Sequence, residues 1–164
     1  MTNVHEPEFE VLGDHPGFRY RRARLGYQAG CERLGVSLWE LPPGEATLYG
    51  YHYANEEMAL VLAGRPNMRT PEGWRELREG DLVSFPVGER GSHQFLNRTD
   101  APVRILMFSE MIGPEVCVYP DSGKIGVFER MTSPEKGGFA AWFRIKDAVH
   151  YYEDESAPRG VGRP

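Results

Sequence analysis

Apolar and polar residues alternate with a period of two along most of this chain, and helical periodicity is scarce. Such alternation is typical of β-strands that bury one face. Turn-forming Gly, Pro, Asn and Asp residues separate the alternating runs. The pattern predicts short strands at residues 18–25, 35–41, 49–53, 57–63, 66–70, 74–78, 82–85, 93–96, 103–109, 116–119 and 125–128.

The length and spacing of these strands predict the fold class. Many short strands at even spacing favour an all-β protein, an antiparallel barrel or double-sheet jelly roll. No internal repeat is present, so one barrel is expected. The C-terminal part is less regular: Phe139–Ile145 fits either a short helix or an edge strand, and Glu153–Pro164 is expected to be a frayed tail.

The same pattern gives a domain plan. We expect the barrel core at residues 34–130. An irregular N-terminal extension at residues 1–33 should pack on the barrel or on a dimer partner. An irregular C-terminal extension should cover residues 131–164.

The strand at residues 57–63 has two very different faces. If Glu57 points into the barrel, the small Ala59, Val61 and Ala63 follow it and leave room for a ligand. The opposite face then carries only large apolar side chains, Met58, Leu60 and Leu62. An apolar outer face needs cover, from the N-terminal segment or from a second subunit, so a homodimer is predicted.

Composition narrows the class of protein further. The 164 residues are 40% hydrophobic with 19 Gly and 13 Pro, which fits one globular domain rich in turns. A net charge of −5 gives no reason to expect nucleic acid or an anionic membrane as partner. No apolar run suggests a signal or a membrane span, so a cytoplasmic protein is expected. Cys31 and Cys117 have neither metal-type spacing nor a disulfide framework.

Two separated segments place potential metal ligands among glycines. The first runs Gly44, five residues, Gly50-Tyr51-His52, four residues, Glu57, six residues, Gly64. The second runs Gly80, five residues, Pro86-Val87-Gly88, four residues, His93, three residues, Asn97. Imidazole and carboxylate groups are ligands that divalent iron, zinc, nickel and manganese accept. Strands that deliver two His and one Glu to one point could therefore hold such an ion.

These segments resemble the two signature motifs of the cupin superfamily, and the chain is similar to small single-domain bacterial cupins. The resemblance implies a jelly-roll barrel with His52, Glu57 and His93 as metal ligands. It also implies a departure, because Gly50 stands where the family usually has its first ligand His. We expect that replacing Gly50 with His completes the ligand set.

The resemblance does not fix the reaction, because cupins include enzymes and non-enzymes. One interpretation is a small metalloenzyme that acts on an oxygen-bearing substrate, with Gly50 leaving an open coordination position and a Tyr or Gln94 near the ligands. The other is a non-catalytic cupin that binds a small molecule, with or without metal. No catalytic residue and no further cofactor-binding residue is assigned from the sequence.

Overall fold

The computed structural model describes residues 1–129 and 138–156, and their regular structure is almost entirely β. The strands are β1 (Val11–Gly13), β2 (Tyr20–Ala23), β3 (Leu34–Leu41), β4 (Tyr51–His52), β5 (Glu57–Ala63), β6 (Asn67–Thr70), β7 (Gly73–Glu76), β8 (Leu82–Phe85), β9 (Gln94–Leu96), β10 (Val103–Glu110), β11 (Glu115–Tyr119), β12 (Lys124–Phe128) and β13 (Ala140–Arg144). One short α-helix, α1, covers Leu25–Gln28. No helix in the described residues is long and apolar enough to cross a membrane.

The strands form three antiparallel sheets. The largest has the order β1-β2-β3-β10-β5-β8, the second β13-β12-β11-β4, and the third β7-β6-β9. This arrangement confirms the predicted all-β, antiparallel jelly-roll class. Of residues 139–145, which fitted a helix or a strand, residues 140–144 form the edge strand β13. The predicted frayed tail lies partly outside the described residues, since residues 157–164 are not among them.

The predicted strand bounds differ in their accuracy. The strands over Glu57–Ala63 and Leu82–Phe85 have the predicted bounds. The strand predicted at residues 49–53 shortens to β4, because only Tyr51 and His52 pair with β11. Neither β1 nor α1 was predicted, since three or four residues are too few to show periodicity.

The inner face of the large sheet builds the main core. Ala59, Val61 and Ile105 are each at most 1% exposed and pack with Phe85 and Phe95. The predicted inward direction of Ala59 and Val61 is therefore confirmed. Glu57, the first residue of β5, lies on the same face of the strand as these small side chains.

The outer face of the same sheet is covered in part by the N-terminal segment. Val4 and Phe9 pack with Leu62 and Leu106 in a second apolar cluster. Strands β1 and β2 also extend the large sheet, so the N-terminal region packs on it within one chain. Leu82 at the far edge is 57% exposed. The domain boundaries at 33/34 and 130/131 stay a prediction.

A tight turn before β9 brings the two signature segments together. Gly88 has a φ of 82°, a left-handed conformation that favours glycine, and its N–H donates to the carbonyl oxygen of His52 at 2.7 Å. Gly50 and His93 then exchange two backbone hydrogen bonds, of 3.2 and 2.9 Å. The backbone alone therefore fixes the separation of His52 and His93.

Candidate functional site

The structure brings the three predicted site residues together where the three sheets meet. His52 lies on β4, Glu57 begins β5, and His93 immediately precedes β9. Nε2 of His52 is 3.2 Å from Oε2 of Glu57, and Nε2 of His93 is 3.5 Å from the same oxygen. All three side chains are less than 20% exposed. Two imidazoles thus face one carboxylate oxygen in a largely buried setting.

The ring of His93 is held from three directions. Its Nδ1 lies 3.0 Å from the carbonyl oxygen of Gly91, which can only accept a hydrogen bond. We therefore assign the proton to Nδ1, which leaves the Nε2 lone pair facing Glu57. Phe85 stacks on the imidazole at 3.8 Å between ring centroids, and Phe95 meets its edge at 6.0 Å. Burial among these rings lowers the pKa of His93, so the imidazole is neutral.

His52 has acidic partners at both ring nitrogens. Its Nδ1 lies 3.2 Å from Sγ of Cys117 and 3.5 Å from Oε2 of Glu115, while its Nε2 faces Glu57. Burial lowers the pKa of His52, but the hydrogen bonds with Cys117, Glu115 and Glu57 outweigh burial and raise it overall. Burial likewise opposes ionisation of Glu57, yet His52 holds the pKa of that carboxyl below its usual range. Without a metal ion the site therefore contains an imidazolium between carboxylates.

Sequence reasoning missed two of these partners. His52, Glu115 and Cys117 form a group whose ligand atoms lie within 4.8 Å of one another and could hold a metal ion. Cys117 has no metal-type spacing in the sequence, so its place beside His52 was not predicted. It reaches the site because β11 pairs with β4 and places Cys117 directly opposite His52. The alternation of Glu115 and Cys117 within an apolar strand was the available signal.

Glu115 is the most heavily hydrogen-bonded carboxylate near the site. Its Oε1 accepts backbone N–H groups of Tyr53, Ala54 and Val116 at 3.1, 3.1 and 2.7 Å. Its Oε2 accepts a hydrogen bond from Nδ2 of Asn55. Burial raises the pKa of Glu115, but hydrogen bonds led by His52 and Asn55 reverse this and lower it. Most of its lone pairs are therefore already used, and it anchors the loop after β4 to β11.

The space beside Gly50 is not open. A Cβ atom at this position would lie 2.9 Å from the carbonyl oxygen of Val118 and 3.2 Å from Cδ1 of Tyr119. The expectation that a His at position 50 completes a preformed ligand set is therefore corrected, because the Tyr119 ring and a backbone carbonyl take the room. Burial raises the pKa of Tyr119, so its hydroxyl remains protonated at neutral pH.

Two amide side chains near His93 stabilise the fold. Nδ2 of Asn97 donates to the carbonyl oxygens of Leu41 and Ala101, at 2.9 and 2.8 Å. Gln94, considered from the sequence as a neighbour of the ligands, instead donates through Nε2 to the carbonyl oxygen of Thr47 at 2.8 Å. Both amides therefore hold backbone segments in place.

Comparison with known proteins finds similarity to cupins. Residues 37–109 match the family model described as a cupin domain. A sugar phosphate isomerase of the cupin superfamily from Silicibacter pomeroyi is 26% identical, with 93% of this chain and 98% of that chain covered and a TM-score of 0.75. A candidate sugar phosphate isomerase from Acidithiobacillus ferrooxidans is 23% identical, with 88% of each chain covered and a TM-score of 0.74.

More distant proteins share the fold alone. The polyketide cyclase RemF from Streptomyces resistomycificus is 19% identical, with 67% of this chain and 78% of that chain covered and a TM-score of 0.57. No curated protein matches the chain in sequence. Residues 37–109 therefore resemble a cupin domain in sequence, and the chain shares the jelly-roll topology of the cupin structures to which it is similar.

Proposed function

We propose that this protein is a metal-dependent enzyme in which His52, Glu57 and His93 hold a divalent ion beside a small oxygen-bearing substrate. Two of the three distances between ligand atoms are compatible with this ligand set. Ligands about 2.1 Å from a common ion are separated by about 3.0 Å in octahedral and 3.4 Å in tetrahedral geometry. The 3.2 and 3.5 Å between the imidazole nitrogens and the Glu57 oxygen are close to these separations. Iron, zinc, nickel and manganese all accept two His and one carboxylate.

One contact carries the proposal. With its proton on Nδ1, neutral His93 points a lone pair at the Glu57 carboxylate, and the two acceptor atoms are 3.5 Å apart. Two acceptors at this distance repel each other. In the ion-free site the His52 imidazolium, 3.2 Å from the Glu57 oxygen, offsets part of this repulsion. An ion bound by both groups, and by Nε2 of His52, removes that repulsion. Binding requires His52 to release its Nε2 proton.

The neighbouring His52–Glu115–Cys117 group is the weaker candidate for an ion. Both oxygens of Glu115 already accept hydrogen bonds, so ligation would cost several of them. Glu115 and Cys117 instead suit a supporting role, in which they accept a hydrogen bond from Nδ1–H of His52 and direct its Nε2 toward Glu57. Metal-bound imidazoles commonly have such a partner on their second nitrogen.

The other residues of the site prepare it for a polar substrate. A bound divalent ion supplies Lewis-acid polarisation of a carbonyl or hydroxyl oxygen. Phe85 and Phe95 keep water from one side of the ligands and raise the strength of electrostatic interactions there. Tyr119 borders the site next to Gly50. The similarity to the S. pomeroyi sugar phosphate isomerase supports a sugar phosphate as substrate and isomerisation as reaction.

Metal content and turnover test the proposal together. Protein purified without chelator should contain about one equivalent of a divalent metal per chain. Glu57→Gln and His93→Ala should lose it, whereas His150→Ala, at an exposed His away from the site, should retain it. NMR with a panel of aldose and ketose phosphates should show isomerisation by the wild type and none by Glu57→Gln.

Two outcomes would contradict the proposal. Wild-type protein that takes up none of Fe(II), Zn(II), Ni(II) or Mn(II) would reject the ligand set. Protein that binds metal and sugar phosphate but turns over no member of the panel would identify a small-molecule-binding cupin without catalysis.

A further inference from the structure

Beyond Tyr119, one face of the four-stranded sheet carries two cationic residues. In register, Tyr119 lies directly opposite Lys124, and Lys124 lies directly opposite Arg144. Directly opposed residues of antiparallel strands point to the same face. Lys124 and Arg144 therefore share the sheet face of Cys117 and Tyr119, which borders the candidate metal site.

The pairing of Lys124 with Arg144 is electrostatically unfavourable. Like charges directly opposite each other in a sheet repel. Within the described part of the chain, no acidic side chain forms an ion pair with either residue. Asp121, the acidic residue nearest to Lys124 in the sequence, makes two hydrogen bonds with Arg69, at 2.6 and 3.1 Å. Lys124 is placed 5.8 Å above the centre of the Tyr119 ring. A bound anion would offset the repulsion between the two cations.

An aromatic surface joins this cationic pair to the site. Trp142 lies opposite Gly126, which in turn lies opposite Cys117. The absence of a side chain at Gly126 makes room for the indole, since a Cβ there would be 3.0 Å from its Nε1. Phe128 supports the indole edge-on at 5.3 Å, and Trp142 remains 56% exposed. An open aromatic face of this kind suits the C–H face of a sugar.

We infer that Lys124 and Arg144 form a phosphate subsite, and that the substrate is a phosphorylated sugar whose ring passes Trp142 toward His52 and Glu57. The inference deepens the proposed function and rests on it for the reacting end of the substrate. A phosphate monoester carries about two negative charges at neutral pH, which matches two cations that have no acidic partner among the described residues. A neutral sugar would leave their repulsion unrelieved.

Calorimetry at constant ionic strength tests the subsite with inorganic phosphate, glucose 6-phosphate, glucuronate and glucose as probes. Wild-type protein should bind the two phosphates and should prefer glucose 6-phosphate to glucose and to glucuronate. Lys124→Met and Arg144→Met should each weaken phosphate binding about tenfold, since each removes a charge-assisted hydrogen bond. Lys124→Arg should restore most of the affinity. Arg75→Met, which removes an exposed cation from a different sheet, should leave it unchanged.

Metal affinity, measured on the same variants, separates this inference from the proposed function. Phosphate binding that is equal in wild type, Lys124→Met and Arg144→Met would overturn the subsite, and so would wild-type protein that binds glucose as tightly as glucose 6-phosphate. If the wild type binds no metal, and Lys124→Met and Arg144→Met both lose phosphate binding, the phosphate subsite is supported and the metal proposal is rejected.

Discussion

Gly50→Ala is a small change that tests how closely the site is packed. The new methyl group would lie 2.9 Å from the carbonyl oxygen of Val118, about 0.5 Å closer than the 3.4 Å of an ordinary contact. It would also lie 3.2 and 3.4 Å from two carbons of the Tyr119 ring. The ring can turn away, but the carbonyl belongs to β11, which is paired on both sides. Strand β11 must therefore shift.

The cost of this shift can be bounded. Overpacking a well-filled region typically costs about 1–3 kcal/mol of unfolding free energy. For a chain of this size, each kcal/mol changes the melting temperature by roughly 2–4 °C. We therefore expect Gly50→Ala to melt roughly 2–12 °C below the wild type. Gly50→His should lose at least as much stability and should not gain metal affinity.

Thermal and urea denaturation of four proteins measure the effect: wild type, Gly50→Ala, Tyr119→Ala and the double variant. The interaction free energy between the two substitutions measures the contact of the new methyl group with the Tyr119 ring. The rest of the loss of unfolding free energy in Gly50→Ala measures its contact with the Val118 carbonyl. Gly50→Ala with wild-type stability would refute the packing argument. So would Gly50→His with unchanged stability and tighter metal binding, since an imidazole would then fit beside Tyr119.

Three further predictions follow from the site and the sheet faces. Because the Cys117 thiol supports His52 without binding the ion, cobalt(II)-loaded protein should show no thiolate charge-transfer absorption. Cys117→Ser should lower metal affinity by less than about a hundredfold. A thiolate band that disappears in this variant would instead show that Cys117 binds the ion. The free energy of unfolding, measured by urea titration, should fall as the pH drops below about 4.5. The folded state lowers the pKa values of Glu57 and Glu115, so these carboxylates stabilise it above their usual pKa and lose that contribution when they are protonated. An unfolding free energy that stays constant down to about pH 3.5 would contradict this. Light scattering should give a molecular mass of about twice 18.6 kDa for the wild type, because the apolar outer face around the exposed Leu82 needs cover from a second subunit. Leu60→Asp should give the mass of a monomer. A monomeric wild type would contradict the dimer and would mean that the N-terminal segment covers this face within one chain.

The sequence predicted the parts of the site that local patterns encode. Alternation along residues 57–63 places Glu57 on the same face as the buried Ala59 and Val61, as the structure has it. The second segment also predicted that His93 shares a site with His52, and the structure adds the turn at Gly88 that brings the two together. Such features depend on a few neighbouring residues and on pleat parity, so one sequence is enough to predict them.

The remaining site residues depend on long-range pairing. Glu115 and Cys117 are about sixty positions from His52 and reach it only because β11 pairs with β4, a strand of two residues. A strand this short leaves almost no periodicity in the sequence. The crowding at Gly50 was equally hidden, because it comes from Val118 and Tyr119 on the same distant strand.

The three proposed ligands lie on β4, on β5 and on the segment before β9, and this separation has a consequence for how the protein responds to its surroundings. A bound ion would cross-link β4, β5 and the segment before β9, so any opening that separates two sheets would break a coordination bond. Free metal at a hundred times its dissociation constant would then add about 2.7 kcal/mol to the unfolding free energy. The lifetime of the folded chain in a cell would depend on the local metal supply, and metal-starved molecules would be the first to be degraded.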